Sequence, residues 1–120
     1  MLSPDVVRLR HIRDAAALAV ELVRDRTRDD QRPNTMLALS LARCPEIMGE
    51  AATKITEETR VSFPRIPFVK MISMRNRLIH AYFDLNLDIV WTTVNDDLPV
   101  VISALESALR GEDQPGAPDR

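Results

Sequence analysis

The sequence predicts an all-α fold, an up-and-down bundle of four to five helices in one domain, on three observations. Its 120 residues include only five aromatic side chains and three glycines, while Leu, Ala, Arg and Glu favour helix over sheet. Apolar residues recur at helical spacing along most of the chain. Prolines and charged clusters punctuate those periodic stretches where helices would start and stop. The length suits one domain, and a core of ordinary size is possible without disulfides or metals.

Ser3-Pro4-Asp5 reads as a helix start, with Ser3 as the N-cap, Pro4 where its missing N–H is harmless and Asp5 favoured by the dipole. Val6, Leu9, Ile12, Ala16, Ala19 and Val23 carry the stripe to roughly Arg26, and the charged segment from Arg28 to Pro33 ends it as a loop. A second helix is expected from a cap at Asn34 or Thr35 to about Glu58, with Leu37, Leu41, Cys44, Met48, Ala51 and Ile55 inward. Pro45 removes the hydrogen bond to the Leu41 carbonyl, which predicts a kink or break near Ala42 to Cys44. Arg60 to Ile66 reads as a loop, and Pro67 opens a helix ending near Phe83. A turn at Asp84 to Asn86, with Asn86 as a cap, leads to a helix over Leu87 to Asn95. Asp96, Asp97 and Pro99 mark a kink or a fresh start for a last helix through Arg110. The domain is therefore expected over 1–110, with Gly111 ending the helix and residues 111–120, rich in proline and glycine, a disordered tail.

The single Cys44 cannot form an internal disulfide, and no clustered His or second Cys offers a metal set. No apolar run approaches the roughly 18 residues of a membrane span, and the first residues lack a signal-peptide pattern. A cytoplasmic protein without metal, cofactor or membrane is expected. The net charge of −2 argues against a general nucleic-acid coat. It hides an asymmetry: Arg60, Arg65, Lys70, Arg75 and Arg77 fall between Thr59 and Phe83 with no acid among them, while eight acids face two arginines from Asp84 onward. That basic segment is either a phosphate-contacting surface or a face neutralised by the acidic C-terminal helices, which are themselves a plausible docking surface for a basic partner.

Residues 75–82 read Arg-Asn-Arg-Leu-Ile-His-Ala-Tyr. Phe68, Met71, Ile72, Leu78 and Ile79 form one apolar stripe, and Arg75 falls in its middle. An unpaired buried guanidinium costs several kcal/mol, so the stripe must meet an acid, a partner subunit or a phosphate. Glu50 and Glu46 are the natural acids. His80 has an unperturbed pKa suited to proton transfer near neutrality, and Arg75 has the fork for a phosphate. Five helical positions set them about 140° apart, so a phosphate touching both would lie across the arc with Asn76 between them. Taken alone, His80 reads as a helix-terminal capping or packing residue, and Tyr82 as a buried phenol. His11 has no motif around it, and Trp91, Met36, Met48, Met71 and Met74 read as core or interface.

Arg75, four residues, His80, one residue and Tyr82 match the R-x4-H-x-Y signature of the HepT-like branch of the HEPN superfamily, mostly small all-helical RNases. The block Ile47 to Ala52, containing Glu50, is similar to that family's "IIGEAA" helix, and Phe83 to Trp91 followed by Asp97-Leu98-Pro99 is similar to its region after the motif. Phe68 stands where Trp is common and Ser73 where Gly is common, both packing positions. The resemblance spans about Leu41 to Leu109. It implies a homodimeric endoribonuclease toxin with Arg75 and His80 catalytic, Asn76 and Glu50 supporting, and RNA, whether tRNA or mRNA, as substrate. It further implies an MntA-like nucleotidyltransferase antitoxin that adds AMP to Tyr82. The alternative it leaves is a non-catalytic scaffold or nucleotide-binding subunit that partners such an enzyme.

Overall fold

The structure, a computed structural model, describes residues 2–30, 35–80 and 87–113, without the side chains of Ile79, His80, Leu87, Glu112 and Asp113. It is all-α: α1 (Ser3–Val23), α2 (Met36–Thr53), α3 (Glu57–Ser62), α4 (Phe68–His80), α5 (Leu87–Thr92) and α6 (Leu98–Asp113). A π-helical segment, Thr93–Asp97, joins α5 to α6 without a break, so the three form one rod. Helix α2 sits centrally, packed on α1 and on α4, and α6 packs along α1. Leu9, Ile12, Leu41, Val94 and Leu105, all fully buried, form the spine of the core between them.

The start of α1 is tied to the end of α2, so these helices run antiparallel. Asp5 is 1% exposed and accepts from the Thr56 hydroxyl and the Thr59 hydroxyl, each at 2.6 Å, and from the Thr56 N–H at 3.3 Å. Thr56 in turn is the N-cap of α3. Arg60, on α3, donates to the Ala52 carbonyl at 2.9 Å, a second bond to an acceptor that also takes the Ile55 N–H at 3.2 Å, and so ties α3 to the end of α2. At the opposite end Arg28 bonds Thr92 at 3.2 Å and lies 3.8 Å from Asp88, fastening the exit of α1 to α5.

Several boundaries differ from the sequence expectation, each for a local reason. The N-cap of α1 is Leu2, with Ser3 inside the helix and no side-chain cap bond. Helix α1 stops at Val23 rather than Arg26, because Asp25 turns into the left-handed region at φ 59°. Thr35, one of the two expected caps, caps α2, and the helix does not break at Pro45, which is buried. Packing on α1 and α4 outweighs the roughly 3 kcal/mol that an interior proline costs. The expected single helix to Glu58 is two, divided by the Thr56 cap, so part of the expected loop 60–66 is helical.

Pro99 cannot donate to the carbonyl four residues back. Just before it the chain takes the π register, in which the Leu98 N–H reaches the Thr93 carbonyl, and the Asn95 side-chain amide donates to the Trp91 carbonyl at 2.9 Å. Asp96, Asp97 and Pro99 mark no fresh start: the irregularity there is the π-helical segment inside a continuous rod. Gly111 does not end α6, which continues to Asp113. Met36, expected in the core or an interface, is 85% exposed, whereas Met48, Met71 and Trp91 are buried. The end of the motif helix beyond His80, the turn at Asp84 to Asn86 and the segment from position 114 lie outside the described residues.

Candidate functional site

The site begins at a glycine. A Cβ at Gly49 would lie 2.6 Å from the Met71 carbonyl oxygen and closer still to the Cβ of Arg75, so only glycine lets α2 and α4 meet here. The backbone contact fixes where Arg75 leaves α4. Its aliphatic stem covers Gly49 and the residue is half-buried, which places it in the α2–α4 seam without sealing its charge away from water. Its Nη1 donates to the Asn76 side-chain oxygen at 3.0 Å.

Neither expected acid pairs with Arg75 among the described residues. Glu46 is engaged by Arg43 at 3.1 Å, and Glu50 is exposed, its backbone carbonyl accepting from Thr53. A guanidinium has five N–H donors, and the Asn76 bond uses one of them. Asn76 itself is exposed, so the Arg75–Asn76 pair stands as a donor site at the edge of the seam. Position 80 ends α4 four residues beyond Asn76, but the His80 side chain and all of Tyr82 lie outside the described residues. Gly49 is a positioning residue that the sequence reading missed. Its signal was present: a glycine inside a helix has a reason to be there beyond propensity.

Of the five basic residues in the acid-free segment, Arg60 is turned to α2 and serves structure. Arg65, Lys70 and Arg77 instead line a cleft of about 550 Å³ between α4 and the start of α6. Met48 and Met71, both buried, and the half-buried Met74 supply its apolar wall, and Asp96 and Asp97 stand on the side of the π-helical segment. Among the described residues these carboxylates make no ion pair with the three cations. A second, shallower groove of about 450 Å³ runs over α4 along Val69, Ile72, Ser73, Asn76 and Arg77. It shares Ser73 and Arg77 with the cleft, so the cationic cleft and the Arg75–Asn76 pair are connected across one helix face.

Among the described residues, no group of three His, Cys, Asp or Glu side chains could hold a metal ion, and no helix is long and apolar enough to cross a membrane. Burial pushes the Cys44 thiol up, which makes it a core side chain rather than a nucleophile. His11 is exposed on α1.

Residues 12–108 match the model of the family described as Ribonuclease HepT-like. The chain is 32% identical over 98 residues to a Methanocaldococcus jannaschii protein named as a candidate RNase, covering 82% of this chain and 90% of that one. It is 34% identical over 91 residues to a Thermococcus cleftensis protein named Probable ribonuclease HepT, covering 76% and 83% respectively. A third relative, from Caldanaerobacter subterraneus subsp. tengcongensis and also named as a candidate RNase, is 29% identical over 104 residues, 87% of this chain and 93% of that protein. No solved structure matches the chain.

Proposed function

The chain belongs to the HepT-like ribonuclease family of the HEPN superfamily, and from that premise we propose that it is a metal-independent endoribonuclease, the toxin of a toxin–antitoxin pair acting in the cytoplasm. The observation that carries the reading is Arg75, held in place by the Gly49 contact and by Asn76, yet with no acid paired to it among the described residues. A cation positioned in this way, with donors unspent, suits the charge that develops on a phosphate oxygen in the transition state.

In the proposed reaction the 2′-oxygen attacks phosphorus and the bond to the 5′-oxygen breaks, leaving a 2′,3′-cyclic phosphate and a 5′-hydroxyl. His80 accepts the 2′-hydroxyl proton, and a His80 in its protonated form, supplied by the second copy in a homodimer, protonates the leaving oxygen. Arg75 donates to the non-bridging oxygens, while Asn76 keeps its fork oriented and Glu50 supports the α2 side. The dimer forms through α4, the helix that carries the motif.

Control falls to Tyr82. An MntA-like nucleotidyltransferase with Mg²⁺ transfers AMP from ATP to its phenol, releasing pyrophosphate, and the attached anion competes for the surface that would hold RNA. Mass spectrometry should find AMP on the peptide containing Tyr82, and Tyr82→Phe should stay toxic beside the partner.

The deciding experiment is cleavage of total RNA in EDTA by wild type, Arg75→Ala and His80→Ala, alongside light scattering for the oligomeric state. The reading expects a dimer in each case and loss of cleavage by about 10²-fold or more in both variants. Undiminished cleavage in either variant refutes the assignment. A chain that cuts no RNA but binds the nucleotidyltransferase would instead be its scaffold.

A further inference from the structure

We propose that the cleft between α4 and the π-helical start of α6 is a base-reading subsite for an unpaired guanosine of the RNA substrate, Asp96 and Asp97 accepting from the base and Arg65, Lys70 and Arg77 holding the phosphates beside it. The inference rests on the ribonuclease reading and names the sequence feature that such an enzyme would select.

Size and wall chemistry come first. A cleft of about 550 Å³ is in the range of small-ligand sites, and thioethers from Met48, Met71 and Met74 offer a polarisable surface for an aromatic ring. The charges are of both signs and stay apart: three cations and two carboxylates line one cleft without neutralising one another among the described residues. A ligand that suits it must carry anionic groups on one side and hydrogen-bond donors on the other. A nucleotide within a strand has that polarity.

Guanine is the base that a carboxylate selects. Its Watson–Crick edge presents N1–H and the N2 amino group side by side, two donors that one carboxylate can accept together. Adenine and cytosine each offer a single amino group on that edge, flanked by a ring nitrogen acceptor that a carboxylate repels. Single-stranded RNA is read in this way, by bases splayed out and bonded along their Watson–Crick edges.

The π-helical segment shapes the cleft wall. Such turns are rare and often sit at functional sites, and this one carries Thr93, Asp96 and Asp97 to the cleft wall. Continuity supplies the path to the chemistry. The groove along Ser73, Asn76 and Arg77 leads from the cleft over α4 to the residue that holds Arg75, so a strand with its base in the cleft would lay a following phosphate on Arg77 and then on the Arg75–Asn76 pair.

The test has two arms, one of which needs no cleavage. Fragment ends from total RNA cut by wild type should show an unpaired G at a fixed position from the cut. In a synthetic strand, G→A at that position should lower kcat/KM by about 10- to 100-fold, and by less than about 2-fold for Asp96→Asn/Asp97→Asn, whereas Glu106→Gln, elsewhere on α6, should keep the preference. In the second arm, fluorescence titration should show guanosine monophosphate binding at least about 10-fold more tightly than adenosine monophosphate, with the difference lost in the double variant and both affinities weakened in Arg77→Glu. RNA cleavage with no preference that Asp96→Asn/Asp97→Asn alters would overturn the subsite and leave the ribonuclease standing. If wild type cuts no RNA, the ribonuclease reading falls and the titration decides the cleft: equal affinity for the two nucleotides, or binding of neither, rejects it.

Discussion

Asp5 and Arg75 are charged residues that the fold draws partly or wholly out of water, and it treats them in opposite ways. Asp5, 1% exposed, is met by three hydrogen bonds from Thr56 and Thr59, so its charge is used up in joining α1 to α3. Burial alone would raise its carboxyl; the Thr56 and Thr59 hydroxyls, the Thr56 N–H and the nearby Arg8 more than offset this and hold it below the ordinary carboxylate range. Arg75 is half-buried, bonded to its own neighbour Asn76, and left with donors unspent. A buried charge whose bonding is complete is a structural device, whereas one positioned by the backbone with bonds still to make is suited to a ligand.

Breaking the Arg75 side of this comparison should have the largest effect. Arg75→Ala keeps the Cβ that meets Gly49, so RNA cleavage should fall about 10²–10³-fold while urea unfolding moves by less than ~1 kcal/mol. A loss of stability large enough to account for the lost activity would make Arg75 a structural residue like Asp5. Asp5→Ala should show the reverse, losing about 2–4 kcal/mol of stability, since the Thr56 and Thr59 donors lose a charged acceptor.

The Asp5 effect carries a pH signature. Because the folded carboxyl lies below its unfolded value, the folded state binds fewer protons in acid, and the stabilisation is complete above the unfolded pKa of about 4. It drains away as pH falls from there through the folded value. Unfolding midpoints measured downward from about pH 5 should therefore fall more steeply for wild type than for Asp5→Asn; parallel curves would remove Asp5 as the cause.

Gly49→Ala sharpens the comparison, since it moves Arg75 without changing it. The clash with the Met71 carbonyl should cost about 1–3 kcal/mol, outweighing the roughly 1 kcal/mol that alanine gains over glycine in a helix, and activity should drop in the fraction that remains folded. Full activity in folded Gly49→Ala would show that Arg75 needs no exact placement. The smallest effect is expected at the Arg43–Glu46 pair, an exposed i,i+3 contact at 3.1 Å, where Arg43→Ala should change stability by no more than ~0.5 kcal/mol.

Local chemistry was legible where the residues that decide it are adjacent in the chain. Leu9, Ile12, Ala16, Ala19 and Val23 on α1, and Leu41, Cys44, Met48, Ala51 and Ile55 around α2, are buried as their spacing requires, and Thr35 caps α2. The ordered blocks around Ile47 to Ala52 and Arg75 to Tyr82 pointed to the family that the matched residues 12–108 identify. At Pro45 and Pro99 neither a break nor a fresh start occurs, for one reason: a proline's cost is local, but whether the helix continues depends on packing and on the register its neighbours adopt.

Helical periodicity and the order of its motifs thus determined the all-α class, most of the core stripes and the family, because those depend on spacing within one helix or on residues recognised in line. Tertiary structure alone decided that Asp5 would lock α1 to α3 rather than merely favour a helix dipole, and that Arg60 would close the end of α2 while Arg65, Lys70 and Arg77 face Asp96 and Asp97 across a cleft. It also decided that Arg75 stands on a glycine some 26 positions earlier in the chain, with no acid paired to it among the described residues. The physical reason is common to all three: a charge acquires its role from the partners that packing brings to it, and those lie on other helices.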